Sequence, residues 1–319
     1  MDNLAPEILA QIFHYLGPAY FHEDVRRLTI CRSWYHQARP VLLQELNLDT
    51  ASLHKFAQRI RRGSINSMGV HIRRITISLQ GFDDWASPRL LPRYSAANAA
   101  LIKDWTSQLN KDLGILARVF SKFANLRVVS FTALPERIDL RCGSPRSGYL
   151  SGAATVGLIR AEHLTSLDID AVGSTLSSKS DLLDYHPCHM FRKVSRQLRR
   201  LRVRVACICP DILKVLCASS DALLLEDVVV NLSICSTSGT KTSYKFPMCC
   251  VDMPWGFEQL QLEMEAQATE LARALKNPRI VRVLSHGYPG PRPHSFDAIN
   301  GRRMVLAAPT PWDADGEEL

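Results

Sequence analysis

The chain has 319 residues, 39 Lys+Arg against 31 Asp+Glu, and a net charge of +8. Its 46% apolar content excludes a disordered or fibrous chain, and its length suits one large domain with or without a small module. No apolar run approaches the ~20 residues that span a bilayer, and Met1-Asp2-Asn3 lacks a secretion signal's basic start, so a cytoplasmic or nuclear protein without membrane partners is expected.

Residues 1–46 read as three short helices. Pro6 suits a first helical turn, and Glu7 places negative charge at the positive end of the helix dipole. Ile8, Leu9, Ile12, Phe13 and Leu16 recur as an apolar face, and Gly17-Pro18 is expected to stop the helix. Glu23-Asp24 opens a second helix through Val25, Leu28 and Cys31 to Trp34, and Pro40 begins a third with Val41, Leu42, Leu43 and Leu46. Three short helices can barely bury a core alone, so either one face docks on a partner or the module caps the following domain.

Beyond residue 42, and through a domain expected over residues 47–287, one spacing recurs, apolar-x-x-apolar-x-apolar, with its last positions alternating as in a half-buried strand. Copies begin at Leu43, Ile72, Leu126, Leu164, Leu198, Leu225 and Phe257, with a weak one at Ile280/Val283. Helix-like stretches such as 51–62, 97–123, 210–218 and 265–276 lie between them. The copies are 23 to 54 residues apart, so the longer gaps hold insertions. Residues 288–319 read as a Pro/Gly-rich connector and an acidic tail with Asp313, Asp315, Glu317 and Glu318.

The positive charge is concentrated. Residues 51–82 hold six Lys/Arg and no acid, and residues 190–204 hold seven and none. Such clusters attract phosphate backbones, anionic surfaces or acidic proteins, unless they are a solvated face; no aromatic residues interleave with the arginines, which disfavours nucleic acid.

Leu4-Ala5-Pro6-Glu7-Ile8-Leu9, Ile12-Phe13-His14-Tyr15-Leu16, Asp24-Val25, Leu28 and Ile30-Cys31-Arg32-Ser33-Trp34-Tyr35 resemble an F-box in order, spacing and residue type. Ala5 stands where the family often has Pro, and the 17–23 loop is longer than common versions. The resemblance implies a module that binds a Skp-type adaptor and through it a cullin scaffold. The positions matching the adaptor-facing motif are Leu4, Pro6, Ile8, Ile12, Leu16, Val25, Leu28, Cys31 and Trp34.

The region that follows resembles a degenerate leucine-rich repeat, with the strand signature present and the Asn or Cys three residues later generally missing. The expected fold is therefore α/β, a short three-helix F-box followed by an irregular leucine-rich-repeat-like solenoid. An ordinary α/β domain with several buried strands is the alternative. In the solenoid, outward strand positions form one surface. Its candidate substrate-binding residues are Arg73, Arg74, Asp168, Asp170, Arg199, Arg200, Arg202 and Arg204.

The implied function is substrate recognition for a Skp-cullin-F-box ubiquitin ligase, leading to proteasomal degradation of an unknown protein. The alternatives are an F-box scaffold outside any ligase and a nucleic-acid or anionic-surface binder using the arginine clusters. No phosphate loop, nucleophile elbow or metal-binding helix pattern is present, so no catalytic residue, cofactor or metal is assigned. His186-Pro187-Cys188-His189 with Cys207-x-Cys209 is spaced too tightly for zinc and reads as packing.

Overall fold

The computed structural model describes residues 4–63, 68–79, 81–82, 96–133, 149–171, 187–205, 207–214, 223–236, 243–245, 256–286, 293–306, 312 and 317–318. Helix α1 (Pro6–Glu23) starts on its proline but does not stop at Gly17-Pro18. It bends there. Gly17 takes φ 72°, which a side chain would resist, and Pro18 restarts the helix in its first turn. Val25–Leu28 is a single 3-10 turn, capped where the Arg26 N–H donates to Asp24 at 2.9 Å. Helix α2 (Arg32–Leu42) runs through Pro40, so the third helix expected there does not form, and Glu45–Leu48 is instead strand β1. The module has its own small core of Leu9, Phe13, Phe21, Leu28, Ala38 and Val41.

After β1 the chain alternates between helices and strands: α3 (Thr50–Arg61), β2 (Arg74–Leu79), α4 (Ala96–Phe120), β3 (Val128–Ala133), α5 (Gly152–Ile159), β4 (Ser166–Ala171), α6 (Pro187–Val194) and β5 (Arg200–Val205). Strand β6 (Asp227–Asn231), a small hairpin of β7 (Ile234–Ser236) and β8 (Ser243–Lys245), helix α7 (Phe257–Ala274) and β9 (Ile280–His286) follow. The protein is mixed α/β. Strands β1 to β6 and then β9 lie side by side in sequence order, each parallel to the last.

One face of every parallel strand feeds a single core. Ile75, Ile77, Val129, Phe131, Leu167, Ile169, Leu201, Val203, Val228, Val230, Val281 and Val283 are buried there with Leu53, Leu113, Leu116, Phe120, Phe191 and Met264 from the helices. The unequal repeats are held in step by the backbone. The carbonyl of Gln44 accepts the N–H groups of both Arg73 and Arg74. The carbonyls of Arg73, Arg127, Thr165, Arg199 and Glu226 do the same for the two residues that open the next parallel strand. Each acceptor lies one residue after the first apolar position of a copy, at the opening end of the strand and opposite the end where a leucine-rich repeat carries its Asn.

Two copies read from the sequence are corrected. Phe257/Leu260/Leu262/Met264 belongs to α7, because the i, i+3, i+7 positions also suit a helix face; Leu262 is 57% exposed. The last strand is in a different frame, with Val281 and Val283 in the core and Ile280 on the opposite face. Nor is 288–319 only a connector and tail. Strands β10 (Pro293–Asp297), β11 (Arg302–Val305) and β12 (Glu317–Glu318) extend the sheet antiparallel beyond β9. Buried Glu265 of α7 takes both terminal nitrogens of Arg303, fastening this extension to the helix layer.

Candidate functional site

The structure carries two candidate docking surfaces and brings part of the sequence-assigned residues together on them. The first is on α1. Leu4 and Pro6 lead into Ile8, Ile12 and Leu16, and the four aliphatic residues, four positions apart, form a stripe between 38% and 45% exposed. Leu9 and Phe13, one position further on, face the module's core. The apolar run therefore divides into two neighbouring stripes, which sequence spacing alone left merged.

Val25 is also exposed, and so are Tyr15, Ile30 and Tyr35, which were not assigned to the adaptor face. The remaining assigned positions play structural parts. Leu28 is buried, and the indole N–H of Trp34 donates to the Arg27 carbonyl while its ring stands edge-on to Phe13 at 4.5 Å. Cys31 caps α2, its sulfur accepting the Trp34 N–H at 3.4 Å.

The second surface is the face of the sheet away from the helices. Strand register sets its residues in files. One file runs Asn47, Thr76, Ser130, Asp168, Arg202, Val229, Arg282 and Asp297. The next runs Ser78, Thr132, Asp170 and Arg204. Acidic and basic candidates from β4 and β5 thus sit directly opposite one another. The Arg204 guanidinium donates to both carboxylate oxygens of Asp170, a fork-on-fork pair that fixes its plane.

Other candidates are engaged at the strand openings. Arg74 pairs with Glu45 at 3.3 Å, and Arg199 with Glu226 at 3.3 Å; both arginines and Arg73 are exposed. Arg200 and Asp168 are half-buried. Arg202 is only 7% exposed and offers little to an incoming partner.

The packing over the β6–β9 part of this face was not foreseen. Leu306, just past β11, is buried against Val229 and Leu284, with Ile280 and Trp312 packed on the same cluster. The Trp312 ring lies 5.3 Å from the Arg204 guanidinium carbon. The file is therefore open on the β1–β4 side and roofed on the β5–β9 side. The tryptophan among acids at the end of the chain was the available signal.

Among the described residues, no cluster of three or more His, Cys, Asp or Glu could hold a metal ion. Cys188, Cys207 and Cys209 are buried, and the Cys209 N–H points at the Cys188 sulfur at 3.2 Å; His186 lies outside the described residues. Among the described residues no helix is long and apolar enough to cross a membrane. Comparison of the chain with known protein families, with curated proteins and with solved structures finds no match.

Proposed function

We propose that the chain is the substrate-recognition subunit of a Skp-cullin-F-box ubiquitin ligase, working in the cytoplasm or nucleus. The amino-terminal module is an F-box that docks on the Skp-type adaptor, and the parallel strands with their helices are an irregular leucine-rich-repeat-like solenoid that presents substrate. Ubiquitin transfer is the work of partner subunits, so this chain needs neither a nucleophile nor a cofactor of its own.

The observation that carries the reading is the stripe of Leu4, Ile8, Ile12 and Leu16. A helix that already has a filled core on one side holds a second aliphatic row in solvent. Contiguous exposed apolar patches mark interaction sites, and burying this one would contribute about 25 cal/mol per Å². The residues that form it are those the F-box resemblance assigns to the adaptor.

The test is co-purification of the full chain with a Skp-type adaptor. Ile8→Glu with Ile12→Glu is expected to reduce capture at least about tenfold, the 1.4 kcal/mol scale of one buried side chain. The melting temperature should not change, because neither side chain belongs to the core. Phe13→Ala supplies the contrast, since it empties the core and costs about 3–5 kcal/mol. Undiminished capture by the double variant overturns the proposal.

A further inference from the structure

The roof over the arginine face comes from the chain itself. At Leu306 the backbone is still on the ladder, its N–H donating to the Pro293 carbonyl at 2.8 Å, and at Glu317 it pairs beside β11. Between these two points in the sequence, the Trp312 ring stands 5.3 Å from the Arg204 guanidinium carbon and packs with Leu306 on Val229 and Leu284. In the order of the sheet β5 is four strands from β11, so a residue from beyond β11 lies against the β5 side of the face.

The place it reaches is organised to receive such a group. Asp170 holds the Arg204 guanidinium flat, which is the geometry an aromatic face stacks against. Val229 and Leu284 form an apolar floor beside it. Arg204 is the basic group at this place, and the residues that follow Trp312 in the sequence include the acids Asp313 and Asp315.

We propose that the face formed by β4, β5, β6 and β9 is a docking site for an acidic protein segment bearing an aromatic residue, and that the chain's own Trp312 region occupies it in cis. A substrate segment of the same chemistry enters by displacing this internal stand-in. The inference rests on the reading of the sheet as the substrate surface and is independent of adaptor docking. A segment tethered by a short linker acts at a local concentration in the mM range, so a free peptide of about 0.1 mM affinity is suppressed at least tenfold while the stand-in is seated.

The probe is a fluorescein-labelled peptide, Pro-Trp-Asp-Ala-Asp-Gly-Glu-Glu-Leu, titrated with the full chain and read by anisotropy. Trp312→Ala is expected to bind it at least about tenfold more tightly than the unmodified chain. Arg204→Gln added to Trp312→Ala should remove that gain, as should replacing the peptide's own tryptophan with alanine. Trp312→Leu is the second variant if Trp312→Ala fails to fold; it keeps an apolar cover on Val229 and Leu284 while taking the ring off Arg204.

Equal binding by the unmodified and Trp312-substituted chains overturns the proposal, and so does a gain that persists without Arg204. A gain for a single-stranded oligonucleotide and not for the peptide overturns it in favour of a nucleic-acid surface. Adaptor capture, measured on the same preparations, should be the same for every variant, which separates failure here from failure of the F-box reading.

Discussion

Arg202 and Arg204 are two residues apart on one strand, on the same face, and equally basic in the sequence. One is buried, and the other is clamped to Asp170 beneath a tryptophan. Other arginines of the two acid-free stretches are paired as well. Arg61 reaches buried Asp112 at 3.3 Å beside His54, while Arg74 and Arg199 find Glu45 and Glu226. These acids lie far along the chain, so a count of local charge overstates how much positive surface is left for a partner. Two predictions belong at this scale.

Arg303→Ala leaves Glu265 buried with Gln261 as its remaining side-chain donor, at 2.9 Å. Because Arg303 itself is half exposed, the cost should be about 1–3 kcal/mol, read from the urea midpoint. Glu265→Gln in that background should recover part of it by removing the buried charge. Asp49 caps α3, and the Ser52 hydroxyl and N–H, by donating to its carboxylate, hold its pKa below the usual value of about 3.9. A depressed folded pKa means that the unfolded chain binds the proton more readily. The stabilisation is then complete above about pH 4 and lost as pH falls through the folded value. Asp49→Asn keeps the cap but not the titration, so the stability advantage of Asp49 should narrow only on that acid limb, as followed by melting curves.

At the scale of elements, the strand signature at Ile72, Leu126, Leu164, Leu198 and Leu225 located five consecutive strands, because each first apolar residue packs under the strand it precedes. The outward files were legible for the same reason, since alternation fixes which side chains face away from the core. What escaped was whatever local spacing shares between structures. Phe257, Leu260 and Met264 suit a helix as well as a repeat, Gly17-Pro18 can bend a helix as well as end one, and Pro40 can sit in a last turn as well as a first. The roof over the sheet escaped because long-range return of a polar tail leaves no periodic mark.

Helix packing itself yields a prediction. In an exposed helix, Gly→Ala is favourable by up to about 1 kcal/mol. At Gly157 of α5 the new methyl would stand 2.6 Å from the Ala117 side chain of α4. Gly157→Ala should therefore lower the melting temperature, and Ala117→Gly in the same chain should restore part of the loss. A rise in the single variant would contradict the close approach of these helices.

Viewed as a whole molecule, the backbone ladder does something that no single repeat does. The connections from one strand opening to the next differ twofold in length, yet every parallel strand begins at the same height, because one carbonyl fixes two consecutive amides. Among the described residues, the strand face away from the helices is a ruler graduated in strand spacings. A bound segment would measure positions there in steps of about 4.8 Å across the sheet, whatever the number of residues the chain uses between steps. Lengthening the connection between β2 and β3 should then leave Thr76 and Ser130 abreast, so the outline could change without altering the spacing of this face.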